Sequence, residues 1–221
     1  MKTVGLIPFW MKDNQNREIK KLAGKYLIEY SIELLNSSSL VDETVIYATN
    51  DDILEYIDPH QDVSFIKRPA KLDNQNISTE EILQEFMKGY DADIIVLLHP
   101  YSPFIKTDTL NRSINMIKKE NYDSAFTAQE HKKFSWFRDN PLNFKTNAPS
   151  PKISTLDPVI TEEGLLYIIT KEAFSKTNSR IGQNPYIKII DQFESFEVVT
   201  KKDFELAELI INAGMFQGAS K

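Results

Sequence analysis

The sequence predicts an α/β domain with a mainly parallel, doubly wound sheet. Three observations carry this. Short runs rich in Val, Ile and Leu alternate with stretches of helical periodicity through the first half of the chain. Several of those runs are almost continuously apolar, which marks strands covered on both faces. The 221 residues, with 41% hydrophobic and 26% charged side chains, suffice for one core of ordinary density.

Taken in order, the predicted strands are Val4–Pro8, Glu43–Ala48, Val63–Ile66, Ile94–His99, Ser124–Ala128, Gly164–Ile169, Ile187–Ile190 and Phe196–Val199. Helical patterns fall at Leu27–Asn36, Asp51–Tyr56, Thr79–Tyr90, Thr107–Lys119, Lys171–Lys176 and Asp203–Ala213. Ser78-Thr79-Glu80-Glu81 reads as an N-cap followed by an acidic first turn. Asp51-Asp52 and Thr107-Asp108 are predicted to start their helices in the same way. Leu206, Leu209 and Ile210 are expected to be core contacts of the last helix. Residues 130–161, rich in Pro, Asn, Lys and aromatics, read as an excursion from the sheet, an inserted arm or lid on a single domain spanning 1–221.

Composition narrows the function classes. With no cysteine, thiol nucleophiles, disulfides and Cys-ligated zinc are excluded. His60, His99 and His131 show no metal-ligand spacing. A net charge of −6 disfavours nucleic acid as a partner. No apolar stretch reaches membrane-spanning length, and MKTVGLIPFW runs straight into a strand, so the expected location is cytoplasmic, with no membrane partner.

Open sheets of this kind bind ligands at the carboxyl ends of their strands. That rule selects the loops Phe9–Arg17, Thr49–Asp52, Arg68–Ser78 and Pro100–Thr107. Lys12 and Arg17 are candidate phosphate contacts, or else solvated loop cations. Arg68 is a candidate nucleotide contact or a strand-end salt bridge. His99, ending a buried strand, is a substrate contact, a general base or a hydrogen-bonded core histidine. Ser102, between two prolines, touches substrate or stiffens a turn. Lys25 reads as structural. The run His131–Arg138 is expected to pack on a second subunit, the alternative being an anion site.

The block order GLIPF, REIKKLAGKYLIEYSIE, TVIYATNDDILEYI, KRPAKL, STEEILQEF, DIIVLLHPYSP, DSAFTA, EEGLLYIITKEAF and KKDFELAELI resembles the acylneuraminate (CMP-sialic acid) cytidylyltransferases over nearly the whole chain. The resemblance implies a GT-A-like nucleotidyltransferase fold with a protruding arm, Mg²⁺-dependent chemistry on CTP, an acidic sugar acceptor and a homodimer formed through the arm. It puts Pro8, Lys12, Arg17, Arg68, Ser78 and Thr79 against the nucleotide, with Lys12, Arg17 and His99 in catalysis. It puts His99, Ser102 and Thr161 against the acceptor, and Glu197 on the metal. The departures also have positions. Trp10 stands where the family has an Arg, and bulky Phe9, Trp10 and Met11 occupy a loop that is Gly-Ser-rich in the family. Ile105 and Thr161 replace basic residues, and Val199 replaces a metal-binding Asp.

The function expected is transfer of CMP from CTP to an acidic sugar or another small acceptor. The alternatives are a catalytically silent relative that binds a nucleotide or a partner protein, and the same fold acting on another nucleotide.

Overall fold

The computed structural model describes residues 1–10, 17–74 and 76–215, and of Arg17 the backbone alone. Its centre is a seven-stranded sheet in the order β11-β7-β10-β6-β1-β4-β5. The strands are β1 Thr3–Pro8, β4 Glu43–Ala48, β5 Ser64–Lys67, β6 Ile94–Leu98, β7 Ser124–His131, β10 Val159–Thr170 and β11 Pro185–Ile189. Two short hairpins complete the strand set: β2 Lys21–Leu22 with β3 Lys25–Tyr26, and β8 Trp136–Phe137 with β9 Asn140–Pro141. The helices are α1 Leu27–Asn36, α2 Thr79–Gly89, α3 Thr107–Lys119, α4 Lys171–Thr177 and α5 Lys201–Asn212. Only β10 opposes the common strand direction, running antiparallel to both β6 and β7.

The strand sequences explain the layering. Alternate residues of one strand face opposite sides of a sheet. Ile7, Ile46, Val96 and Ile168 pack toward Ile28, Ile32 and Leu35 of α1 and Leu110 and Ile114 of α3. Their neighbours Leu6, Val45, Leu97 and Ile169 pack toward Leu83 and Phe86 of α2 and Phe174 of α4. Both faces are covered, which is why β1 and β6 have no polar alternation. Gly5 allows α1 to lie close on β1: a Cβ there would come within 2.7 Å of Leu35.

The chain lays down β1, β4 and β5 toward one edge, then returns to place β6 on the other side of β1. The topological switch point therefore lies between the carboxyl ends of β1 and β6, next to Pro8 and His99. A crevice at such a point is the usual ligand site of an open α/β sheet. A separate cleft of about 310 Å³, lined by Met1, Asp123, Lys176 and Gln183 among others, lies at the opposite end of the sheet.

Several sequence expectations need correction. Phe196–Val199 forms no strand. Val198 packs with Leu22, Leu27, Phe104, Ala207 and Ile210 in a third cluster beneath α5, where no open strand edge faces it. The Asp51–Tyr56 pattern is too short to hold α-helix and becomes a 3₁₀ turn, Asp52–Tyr56, whose Asp51 makes no side-chain cap. Leu206 and Leu209 are exposed, because α5 rests on the third cluster through Ala207 and Ile210 and leaves its outer face to solvent. Asp203 instead closes a capping box with Thr200 at the start of α5.

The 130–161 stretch leaves on β7 and returns on β10. His131↔Val159, Glu130↔Ile160 and Gln129↔Thr161 continue the sheet register outward. A bulge between Glu162 and Tyr167 separates this outer ladder from the inner one. Gly164 sits in the bulge at φ 71°, a conformation that disfavours any side chain.

Candidate functional site

The strand tips gather most of the sequence-selected residues, and the loops show how each is held. Pro8 ends β1 and is buried, and the next amide, Phe9 N, donates to Tyr47 O at 3.1 Å. Phe9 is core, 1% exposed, and so does not crowd a ligand loop. Trp10 turns away toward β5: its indole N–H donates to Leu72 O at 3.3 Å, and its ring lies 4.5 Å from the Arg68 guanidinium carbon. Lys12 lies outside the described residues, as does the side chain of Arg17.

Arg68 is the largest fully buried side chain. It lies between Trp10 and the Tyr47 ring, pairs with the Asp73 carboxylate, and donates weakly to Tyr47 O at 3.5 Å. Among the described residues its Nε has no hydrogen-bond partner. Burial pushes the guanidinium pKa down, and the Asp73 carboxylate opposes that shift. Thr49 also donates to Asp73. Arg68 is thus a covered cation with no face open to the crevice while Trp10 lies over it, a strand-end salt bridge in this conformation.

Ser78 caps α2. Glu81 N donates to its hydroxyl at 3.2 Å, and Ser78 N donates back to Glu81 Oε2 at 2.8 Å. The bonds from Ser78 hold the Glu81 carboxyl below its usual range. Thr79, the first helical residue, is half-buried beside it.

On the other side of the switch point, His99 N donates to Leu165 O at 3.2 Å, and its ring stacks on Tyr101 with centroids 5.2 Å apart. Ser102, 1% exposed, has a buried hydroxyl with no hydrogen-bond partner among the described residues. Val198 N donates to Tyr101 O at 3.0 Å, which brings the half-buried Glu197 to the same loop. His99, Ser102 and Glu197 are therefore assembled around one turn. Ile105, where the resemblance would have a cation, is part of the core. Thr161 belongs to the base of the arm, where its hydroxyl shares a hydrogen bond with His131 Nε2 at 2.9 Å and donates to Glu163 Oε1 at 3.1 Å.

Groups that sequence reasoning missed hold these loops in place. Glu194, 5% exposed, accepts from Lys106 N at 3.0 Å and Thr109 Oγ1 at 2.7 Å. It braces the helix start that Thr107-Asp108 was expected to cap; the N-cap residue is Lys106, whose side chain makes no capping bond. Lys106 Nζ bridges Asp191 at 2.7 Å and Glu194 at 3.3 Å. Lys25, read as structural, pairs with Glu33 at 2.6 Å and lies over Tyr30.

A second charged cluster joins Glu80, Glu162, Tyr167 and Arg180. Arg180 donates to Glu80 at 2.8 Å and to Glu162 at 2.7 Å, with Tyr167 donating to Glu162. Burial alone would raise the Glu162 pKa, but the Tyr167 hydroxyl and Arg180 outweigh it and hold the carboxyl below 4.5. A depressed native pKa contributes stability above the unfolded value and loses it as pH falls through the native one. The stability gap between the wild type and Glu162→Gln should therefore be widest at neutral pH and shrink in acid below 4.5. Urea unfolding across that range measures it, and a pH-independent gap would refute the assignment.

Magnesium is commonly held by one or two carboxylates, with phosphate and water oxygens completing the octahedron. Among the described residues no group of three or more His, Asp or Glu is arranged to cage a metal. Glu197 is one half-buried carboxylate on the loop anchored at Tyr101, so it could serve at most as a single protein ligand to an ion carried by a nucleotide. No described helix is long and apolar enough to cross a membrane.

Comparison with known proteins accords with this layout. The chain is 21% identical over 201 residues to the N-acylneuraminate cytidylyltransferase A of Danio rerio, covering 87% of this chain and 46% of that one. It spans about half the length of the N-acylneuraminate cytidylyltransferases it matches. It is 20% identical over 217 residues to the post-translational flagellin modification protein B of Campylobacter coli, covering 90% of each. In structure it is similar to a CMP:2-keto-3-deoxy-manno-octonic acid synthetase complexed with CTP. The TM-score is 0.68 at 14% identity, over 97% of this chain and 100% of that one. This likeness places the sheet among nucleotidyltransferase folds. The cytidylyltransferase family model matches residues 15–152, more than half of the sequence, and the chain belongs to the cytidylyltransferase family.

Proposed function

We propose that the chain transfers CMP from CTP to the hydroxyl of a small, sugar-like acceptor, releasing pyrophosphate. The observation that carries this reading is the topological switch point between the tips of β1 and β6, next to Pro8 and His99 and to the Glu197 loop anchored on Tyr101, in a chain of this family. The acceptor oxygen attacks the α-phosphorus, the bond from that phosphorus to the bridging oxygen breaks, and the hydroxyl proton passes to a base. His99 is that base, held by its backbone bond to Leu165 and its stack on Tyr101. Lys12 and Arg17 neutralise the β- and γ-phosphates. Ser78 and Thr79, at the start of α2, face the base and ribose. Ser102 and Thr161 line the acceptor side. Arg68 acts on the nucleotide once Trp10 moves off it. Glu197, with the triphosphate, would hold a magnesium ion, which would supply charge neutralisation at the phosphates.

The loss of basic side chains at Ile105 and Thr161 favours an acceptor other than a simple sialic acid. The exposed arm residues Trp136, Phe137 and Leu142 support a homodimer of cytoplasmic protein joined through the arm. The test is pyrophosphate release from CTP and Mg²⁺ across a panel of sugar acids, deoxysugars and phosphonates. Release with at least one acceptor is expected, with His99→Gln slower by about a hundredfold or more. No release above the acceptor-free blank would reject the reading.

The cover of Trp10 over Arg68 favours a second reading, a relative that binds a nucleotide without turning it over. Thermal stabilisation by CTP, equivalent to about 2.7 kcal/mol at a hundred times Kd, with no turnover of any acceptor, would select it.

A further inference from the structure

Arg180 stands in a turn built to present it. Asn178 adopts φ 50° and its N–H donates to Phe174 O at 2.7 Å, closing α4. Ser124 Oγ accepts from Gly182 N at 2.8 Å, and the Asp123 carboxylate accepts from Gln183 N at 2.8 Å and Asn184 N at 3.1 Å. A side chain at position 182 would collide with Asp123. With both ends of the turn pinned, the guanidinium spans two elements that are far apart in sequence. One hand reaches Glu80, in the first turn of α2 beside Ser78 and Thr79. The other reaches Glu162, beside Thr161 at the bulge of β10. The Tyr167 ring lies 4.8 Å beneath it. All three charged side chains are one quarter to one third exposed, so the pairs are better shielded than surface ion pairs.

We propose that Arg180 is a positioning residue that ties the nucleotide side of the crevice to its acceptor side. The two carboxylates it joins belong to the helix start facing the nucleotide and to the strand segment carrying Thr161. A nucleotide that steadies the first turn of α2 thereby steadies residues 159–166. An arginine suits this role because its planar fork serves two acceptors at once, which a lysine ammonium at the end of a flexible stem does less well. The sense of the coupling rests on the CTP reading given above, whereas the tie itself does not.

Hydrogen–deuterium exchange on the full chain tests it. Without nucleotide, Glu80→Gln should speed exchange of the 159–166 amides about fivefold or more, a coupling of ordinary allosteric size. Arg180→Met should do the same, and Arg180→Lys should recover part of the protection. Added CTP and Mg²⁺ should slow exchange at both 78–83 and 159–166 in the wild type, but only at 78–83 in Arg180→Met. Unchanged exchange at 159–166 in Glu80→Gln overturns the proposal whatever CTP does. If Arg180→Met fails to fold, Glu80→Gln still decides. If CTP protects neither segment of the wild type, the nucleotide reading fails, and the nucleotide-free comparison still decides the tie.

Discussion

Asp73→Ala should lower the stability of the folded chain by about 3 kcal/mol, because it strips a fully buried guanidinium of its counter-charge. Arg68 has no exposed side-chain surface, and beyond Asp73 its contacts among the described residues are a 3.5 Å bond to Tyr47 O and the faces of Trp10 and Tyr47. Those aromatic contacts are worth about 2 kcal/mol or somewhat more each when desolvated, less than the several kcal/mol that drying a charge costs. The expected cost lies at the low end of the range for broken buried pairs because Asp73 is 36% exposed, so water takes over part of its role. The double variant Arg68→Met/Asp73→Ala should recover most of the loss, since an apolar side chain of similar volume has no charge to desolvate. Urea unfolding of the two variants measures both effects. A loss below about 1 kcal/mol for Asp73→Ala, the scale of an ordinary surface change, would mean that Arg68 is not sealed as described.

Glu194→Ala should be comparably costly, about 3 kcal/mol, from the loss of charge-assisted bonds to groups left dry. The carboxylate is 5% exposed and accepts from Lys106 N and Thr109 Oγ1, while Lys106 Nζ bridges it to Asp191. Its removal orphans the N-cap amide before α3 and a buried hydroxyl together. Glu194→Gln keeps one acceptor oxygen and should restore at least half of the loss. The consequence reaches the crevice, because residues 191–196 lead into the Glu197 loop, anchored by Val198 N on Tyr101 O. Exchange of the Val198 amide should therefore accelerate in Glu194→Ala. A stable variant with an unchanged Val198 amide would show the two contacts to be independent.

Both residues illustrate which parts of the molecule were open to sequence reasoning. The sheet was legible because its central strands are apolar on both faces, a pattern set by local composition. The Ser78 cap was legible because donor and acceptor lie three residues apart. The cap of α3 was not, since Glu194 reaches it from 85 residues away and the local Thr107-Asp108 pair offered a plausible substitute. Arg180 escaped for the same reason, its Glu80 partner lying 100 residues away. Trp10 could be singled out as bulky in a loop that is glycine-rich elsewhere in the family. Its side chain is placed by Arg68 and the Leu72 carbonyl, partners that follow β5 far along the chain. Phe196–Val199 is rich in aromatic and β-branched residues, but such composition reports which side chains suit a strand, not whether a neighbouring strand is there to pair with. Leu206 and Leu209 failed in the opposite sense: an apolar helical stripe did not reveal how narrow the surface beneath α5 is.

One strand has a practical consequence for remodelling this protein. Because β10 runs without interruption from Val159 in the arm to Thr170 between β6 and β7, the protrusion is not a detachable module. Cutting at its visible base would remove the partners of Gln129 and Ala128 and strip the outer ladder from β7. The excision that spares the ladder falls farther out, beyond the facing pair His131 and Val159, where a tight turn could splice the two strands. Such a trimmed chain would keep every inner pairing while shedding the exposed aromatic tip.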